Sequence, residues 1–391
     1  ATTITVNILG TNDAAVLSTA TVHLTETNAV LTASGTLTVS DVDSAASFNA
    51  GTIAGTYGSI ALQANGQWVY TASTAHNEFV GGTTYSDTFN VTSADGTATT
   101  ITVNILGTND AAVISSATAN LVETNAVLST SGTLNISDAD SAATFVAATI
   151  AGTYGSIDLQ ANGQWVYTAS SAHNEFVAGA NYSDVFTVTS ADGTTSTITV
   201  NILGTNDAAV ISSATVPLTE TGAVLTATGA LTISDADSVA AFVPGTLTGT
   251  YGSVVLQSNG QWTYTSSSAH DEFAGGTTYS DVFTVTSADG TTSTITVNIL
   301  GTNDAAVISS ATVPLTETNA VLTASGTLTI TDADSAATFV AGTLTGTYGS
   351  VALQANGQWT YTASSAHNEF VGGATYSDVF TVTSADGTTS T

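Results

Sequence analysis

Phe89-Asn90-Val91-Thr92-Ser93-Ala94-Asp95-Gly96-Thr97-Ala98-Thr99-Thr100-Ile101-Thr102-Val103-Asn104-Ile105-Leu106-Gly107-Thr108-Asn109-Asp110 is the stretch whose reading decides this fold. Phe89 and Val91 alternate with polar neighbours, Asp95-Gly96 turns the chain, and Ile101, Val103 and Ile105 alternate on the way back. Period-two alternation on both sides of an Asp-Gly pair predicts a β-hairpin. The return strand runs straight into Gly107-Thr108-Asn109-Asp110-Ala111-Ala112, and there the pattern begins again. Asn12-Asp13 recurs at Asn109-Asp110, Asn206-Asp207 and Asn303-Asp304, and Trp68 recurs at Trp165, Trp262 and Trp359, a constant spacing of 97 residues. That period is too long for a solenoid unit of about 20 to 50 residues. It is long enough for each copy to bury a core of its own.

Working outward within the first copy, Val16 to Leu24 alternates as one strand, and Gly35 to Ser40 reads as a second. A short third lies between Phe48 and Ile53. Tyr57 to Gln63 and Gln67 to Thr71 flank Asn65-Gly66, another hairpin signal. Ile60, Leu62, Trp68 and Tyr70 share parity and are expected to face one core. No helical period appears. About seven short strands in under 100 residues predict an all-β chain, a tandem array of immunoglobulin-like Greek-key sandwiches. The domains read as residues 14–110, 111–207, 208–304 and 305–391. Residues 1–13 are expected to be the last strand and linker of a preceding repeat, and the fourth repeat lacks its last strand. The segment is therefore read as a slice of a longer array. A sharper alternative is head-to-tail filament assembly, in which residues 1–9 of one copy fill the missing strand position of another.

Composition narrows the function. The chain has no Lys or Arg, thirty Asp and Glu, and a formal net charge of −30. Nothing in it neutralises phosphate, so nucleic acid and anionic membrane surfaces are excluded as partners. Only 8% of residues are charged and 42% are hydrophobic, which is a globular and not a disordered composition. Cysteine is absent, and no apolar run is long enough for a membrane span in this segment.

Seven acids recur in every copy, and Asp158 and Asp271 complete the thirty. In the first copy they are Asp13, Glu26, Asp41, Asp43, Glu78, Asp87 and Asp95. None is expected in mid-strand, and Asp87 is expected to open its strand. Following chain direction, Glu26, Glu78 and Asp87 fall at one end of a repeat. The linker Asn-Asp follows, and the Asp-x-Asp loop and the hairpin Asp of the next repeat meet it. Clustered carboxylates without a basic side chain repel. Hard divalent ions take six to eight oxygens, and Ca2+ tolerates sites assembled from several loops. About two to three calcium ions per junction would balance the charge. The candidate ligands are Asn12, Asp13, Glu26, Asp41, Asp43, Glu78, Asp87 and Asp95 in the first repeat. Those of the second are Asn109, Asp110, Glu123, Asp138, Asp140, Glu175, Asp184 and Asp192. The third offers Asn206, Asp207, Glu220, Asp235, Asp237, Glu272, Asp281 and Asp289, and the fourth Asn303, Asp304, Glu317, Asp332, Asp334, Glu369, Asp378 and Asp386. Plainer readings stand beside these: a solvated turn for Asp41-Val42-Asp43, a backbone preference for Asp95-Gly96, and a carboxylate holding a backbone amide for Asp87.

These residues resemble the VCBS repeat family, a cadherin-like sandwich of giant bacterial surface and RTX-type adhesins. The resemblance is carried by Thr32 to Asp43 (TASGTLTVSDVD), Tyr57-Gly58-Ser59, Asn65-Gly66-Gln67-Trp68, Phe186 to Thr194 (FTVTSADGT) and the closing Gly-Thr-Asn-Asp. It spans all four copies. It implies secreted, calcium-dependent extender domains at the bacterial surface, exported by a type I system and linked to adhesion or biofilm. The Asp-x-Asp and linker Asn-Asp are similar to cadherin calcium motifs, in which a Glu after the first strand completes the site. The family commonly has Glu-Asp where this chain has Glu26-Thr27, and Pro where it has Ala14.

Other chemistry is thin. Trp68, Tyr70 and Tyr85 suggest stacking on sugar, with a buried core Trp as the plainer reading. His76-Asn77-Glu78 offers one imidazole per repeat, which reads as an exposed loop histidine. Asp41 and Asp43 sit too close on one loop to flank a glycosidic bond, and no nucleophile elbow occurs. The expectation is therefore a non-enzymatic spacer stiffened by calcium, with about 40 Å per repeat and about 160 Å in all at about 3.3 Å per strand residue. Its partners are neighbouring repeats and, through self-association, other copies. A multivalent carbohydrate-binding module is the alternative.

Overall fold

The computed structural model describes residues 1–391. They form two compact units, Ala1–Thr205 and Asn206–Thr391. No helix is long and apolar enough to cross a membrane.

In the first unit, repeat one has nine strands: β1 (Val16–Leu17), β2 (Ala20–Thr25), β3 (Thr32–Thr36), β4 (Val39–Ser40), β5 (Gly51–Ala54), β6 (Gly58–Leu62), β7 (Gln67–Ala72), β8 (Thr84–Thr92) and β9 (Ala98–Leu106). They make a four-stranded sheet in the order β3-β7-β6-β5, a three-stranded sheet β2-β9-β8, and the short pair β1-β4. The single strand expected from Val16 to Leu24 is two. Ser18 divides it, its N–H bonding Thr38 O at 3.1 Å while its hydroxyl accepts the Thr38 N–H at 2.8 Å. The break lets the chain cross from β4, where β1 pairs antiparallel, to β9, where β2 pairs parallel. Phe48 lies outside the strand expected there and makes one isolated bridge to Ser93.

Alternation sends Ile60, Leu62, Trp68 and Tyr70 inward together, as their parity predicts, against Phe89, Ile101, Val103 and Ile105 of the other sheet. Trp68 lies flat over Gly35. A Cβ on Gly35 would meet the indole at 2.6 Å, so the β3 to β7 pairing needs glycine there. The central strand of the smaller sheet is β9, bonded on one edge to β2 and on the other to β8. Repeat two reproduces this plan.

In the second unit, repeat three again has both sheets, while repeat four keeps only the larger one, Thr323–Thr327, Gly342–Thr345, Gly349–Leu353 and Gln358–Ala363. Of the counterpart of β9, residues 305–391 contain only the first two residues, Thr389–Ser390, which pair antiparallel with Val382–Thr383. Residues 311–316 and 375–381, which would flank it, carry no strand, and the buried core falls to Leu328, Phe339, Leu353 and Val382. Residues 1–9, expected as a strand, carry none either, with Ile4 and Ile8 about nine-tenths exposed. A strand without neighbours leaves its backbone groups to water, so the pattern alone does not make it.

Candidate metal centre

The linker between repeats one and two begins under the loop 73–83. Gly107 donates to Thr83 O and accepts from Gly82 N, both at 2.9 Å. A Cβ on Gly107 would press on the carbonyls of Phe79 and Val80, which is why this position is glycine. Four rings brace that loop. Phe79 stacks between His76 (4.5 Å) and Tyr85 (3.8 Å), with Tyr57 edge-on to all three. Tyr85 Oη also accepts the Val80 N–H at 3.1 Å.

The next residues are pinned from both repeats. Thr108 donates its N–H (3.3 Å) and hydroxyl (2.5 Å) to Glu26 Oε2, and Glu26 N bonds Leu106 O. From repeat two, Asp140 Oδ1 accepts the Asp110 N–H at 3.1 Å. Asp192 Oδ2 accepts the Ala112 N–H at 2.9 Å and the Asn109 amide at 3.4 Å.

Several carboxylates of this joint keep one oxygen buried without a hydrogen bond. Glu26 Oε1, Asp110 Oδ2 and Asp140 Oδ2 are in this state, as is Asn77 Oδ1. Glu26 is only 2% exposed. Burial, then Glu26, then Asp140 push the Asp110 carboxyl above its ordinary range, with Asn28 opposing. Unpaired buried oxygens each cost about 1 to 3 kcal/mol, and more when charged. A chain without Lys or Arg has no side chain of its own to relieve them. The donor set fits a hard divalent cation: carboxylate and amide oxygens from several loops, with no nitrogen or sulfur.

Other predicted ligands hold the scaffold. Asp41 accepts the Asp43 and Ser44 amides and the Ser44 hydroxyl, and Asp138, Asp235 and Asp332 do the same in their loops. Asp95 receives the Ser93 and Thr97 hydroxyls and the Thr97 and Ala15 amides, which keep it far below the usual carboxylate range. Asp192, Asp289 and Asp386 repeat that arrangement. Asn12 donates to Asp95 Oδ2 and Asp13 N to Asp43.

Asp87 is a correction. It lies three residues inside β8 with its side chain toward the core, not at the strand's mouth, and its two oxygens accept the Thr56 (2.7 Å) and Tyr57 (2.9 Å) amides. Asp184, Asp281 and Asp378 make the same clamp. Asp87 and burial also push the neighbouring Tyr70 phenol up to about 12, burial being the larger cause.

The histidine is a second correction. His76 is buried, in the left-handed region at φ 57°, and its Nδ1 meets Glu78 Oε1 at 2.8 Å while Nε2 meets Tyr57 O at 2.6 Å. The Ser73 hydroxyl also meets Nε2, at 3.1 Å, so both ring nitrogens are engaged inside the repeat. In the copies, burial lowers the pKa of His173 and His270, but Glu175 and Glu272 with the carbonyls of Tyr154 and Tyr251 outweigh it, and the net shift is upward. Glu78, Glu175, Glu272 and Glu369 are thus engaged by histidine, their side chains largely exposed.

Within the first unit Glu123 takes the Thr205 amide and hydroxyl as Glu26 takes those of Thr108. Within the second, Asp237 accepts the Asp207 N–H, and Asp289 accepts Ala209 N and Asn206. Between repeats three and four, Thr302 binds Glu220, Asp304 N binds Asp334, and Asn303 and Ala306 bind Asp386. Glu317 is exposed, because the strand that would bury it is missing. Asn77 and Asn174 escape a reading that follows recurring acids. The signal that finds them is the Asp at the equivalent position in repeat three, Asp271. Trp68 and Tyr70 lie in the core and Tyr85 is stacked on Phe79, so the aromatics suggested for sugar binding are already packed inside the protein.

Residues 12–107, 109–204, 206–301 and 303–391 each match the family model of the bacterial cadherin-like domain. Among solved structures, the chain is similar to a protocadherin gammaB7 EC3-6 cis-dimer at 14% identity and TM-score 0.41, covering 97% of this chain and 98% of that one. It is similar to the human desmocollin-1 ectodomain at 12% identity and TM-score 0.31, covering 96% and 78%, and to mouse cadherin-23 EC22-24 at 13% identity and TM-score 0.39, covering 74% and 99%. No curated protein matches the chain.

Proposed function

Because this chain belongs to the bacterial cadherin-like domain family, with the domain present four times in tandem, we propose that it is an extender segment of an extracellular adhesin whose joints are rigidified by calcium. One observation carries the reading. In a chain without a single Lys or Arg, Glu26, Asn77, Asp110 and Asp140, drawn from both repeats and the linker between them, each keep an oxygen buried and unbonded. Four such oxygens, completed by backbone carbonyls and water, make up the six to eight that calcium takes. They define the innermost ion. Balancing all seven acids of a joint calls for about two to three. With the ion bound, repulsion between Glu26, Asp110 and Asp140 becomes shared attraction, and the linker loses its freedom to bend. Adhesion at the bacterial surface, and kinship with RTX-type adhesins, rest on the VCBS-like segments named above.

Calcium titration of the whole chain, followed by calorimetry and thermal melting, tests this. Binding at the joints stabilises the fold by RT ln(1 + [L]/Kd) per site, about 2.7 kcal/mol at a hundredfold excess over Kd, and so raises the melting temperature. Glu26→Gln with Asp110→Asn removes part of that gain. Identical melting curves in calcium and in EDTA would sink the reading.

A further inference from the structure

The joints are not equal. At the position of Asn77 and Asn174 the third repeat carries Asp271, and at the position of Asn28 it carries Gly222. Both changes act on one place. Ligand oxygens of Glu220, Asp271 and Asp304 lie within 4.8 Å of one another. Glu220 is 1% exposed, and its Oε1, aimed into this group, has no hydrogen bond. Asp304 Oδ2 is likewise buried without a partner. Where Asn28 brings a side-chain amide, Gly222 brings none, so the added carboxylate of Asp271 has one polar side chain fewer beside it. Asp334 Oδ2, whose counterpart Asp140 Oδ2 is unbonded, accepts the Gly275 N–H at 3.3 Å.

We propose that the joint between repeats three and four is the tightest divalent-cation site of the array, with Asp271 as the added ligand. This deepens the calcium reading and rests on it. Affinity in oxygen sites is tuned by ligand charge, and an amide oxygen replaced by a carboxylate at unchanged position adds one full charge to the first coordination sphere. The joint that repels most without metal therefore gains most with it. As calcium rises, it fills and stiffens first, at concentrations where the first joint is still unoccupied.

Calcium titrated calorimetrically into the full chain tests this, with Asp271→Asn and Asn77→Asp alongside. Asp271→Asn restores the residue of the other three repeats, so folding is retained. The expected result is one site class about tenfold tighter than the rest. That class disappears in Asp271→Asn, and a second such class appears in Asn77→Asp. Without calcium, Asp271→Asn melts higher than the parent chain, because a charge has left the cluster. Calcium binding that is uniform in the parent and unchanged by Asp271→Asn overturns this proposal and leaves calcium at the joints standing. No calcium binding by any of the three chains overturns both.

Discussion

A single aspartate shows how little residue type says about role here. Asp184, inside the strand Asn181–Thr189, and Asp140, in the loop after Ile136–Ser137, are both buried acids. Asp184 has both oxygens occupied by the amides of Thr153 (2.6 Å) and Tyr154 (3.0 Å), whereas Asp140 has one oxygen without a partner. The first is a loop clamp and the second a ligand candidate. Asp184→Ala leaves two part-buried N–H groups and a buried strand position without their partner and should cost the repeat about 1 to 3 kcal/mol. The loss should be the same in calcium and in EDTA, as read by denaturant unfolding. A loss seen only with calcium present would return Asp184 to the ligand set. Asn77 makes the converse point. Its amide oxygen is buried and unpartnered, yet nothing in the triplet His76-Asn77-Glu78 distinguishes it from a polar loop residue.

At the scale of elements, β9 organises the smaller sheet. It pairs with β2 over six residues and with β8 over nine. In repeat four only the first two residues of its counterpart are present; residues 311–316 and 375–381 carry no strand, Val382–Thr383 pairs with Thr389–Ser390, and the larger sheet keeps all four of its strands. The larger sheet is therefore complete without a full β9, whereas the smaller one depends on it. A synthetic peptide with the sequence Ala98–Leu106 should insert between residues 311–316 and 375–381. Amide exchange would then slow in both segments and Tyr361 would become buried, as Tyr264 already is. A scrambled peptide giving the same protection would show nonspecific sticking instead. Residues 1–9 have the same sequence as β9. Competition by this peptide is thus also the test of strand exchange between copies of the chain.

For the molecule as a whole, charge sets the response to pH. The Asp110 and Asp304 carboxyls are raised above the ordinary value, chiefly by burial and then by Glu26 and Glu220 respectively. A carboxyl that holds its proton more tightly when folded makes stability fall as pH rises through its folded pKa. Histidines 173, 270 and 367 are also raised, and their stabilising pairs with Glu175, Glu272 and Glu369 are lost as pH rises through the imidazole's folded pKa. Both effects have the same sign. In EDTA the melting temperature should therefore increase on acidifying from about pH 8 to about pH 5. Calcium competes with protons for the same oxygens, so the rise in melting temperature that it produces should shrink over that range. A calcium effect that is constant with pH would place the ions away from Asp110 and Asp304.

The two hairpins, the inward parity of their residues and the four-fold repeat were determined by the sequence alone. Period-two alternation and Asp-Gly or Asn-Gly turns are local, and one copy written four times needs no long-range information to recognise. The break at Ser18, the interior place of Asp87, the burial of the His76 ring and the unbonded oxygens of Glu26, Asn77, Asp110 and Asp140 were decided only in the tertiary structure. Which of its oxygens a carboxylate spends on the backbone depends on segments that can lie more than eighty residues away, as Thr108 does from Glu26. Chain folding brings these groups together and removes the water that would otherwise satisfy them, and no pattern of neighbours along the chain encodes that outcome.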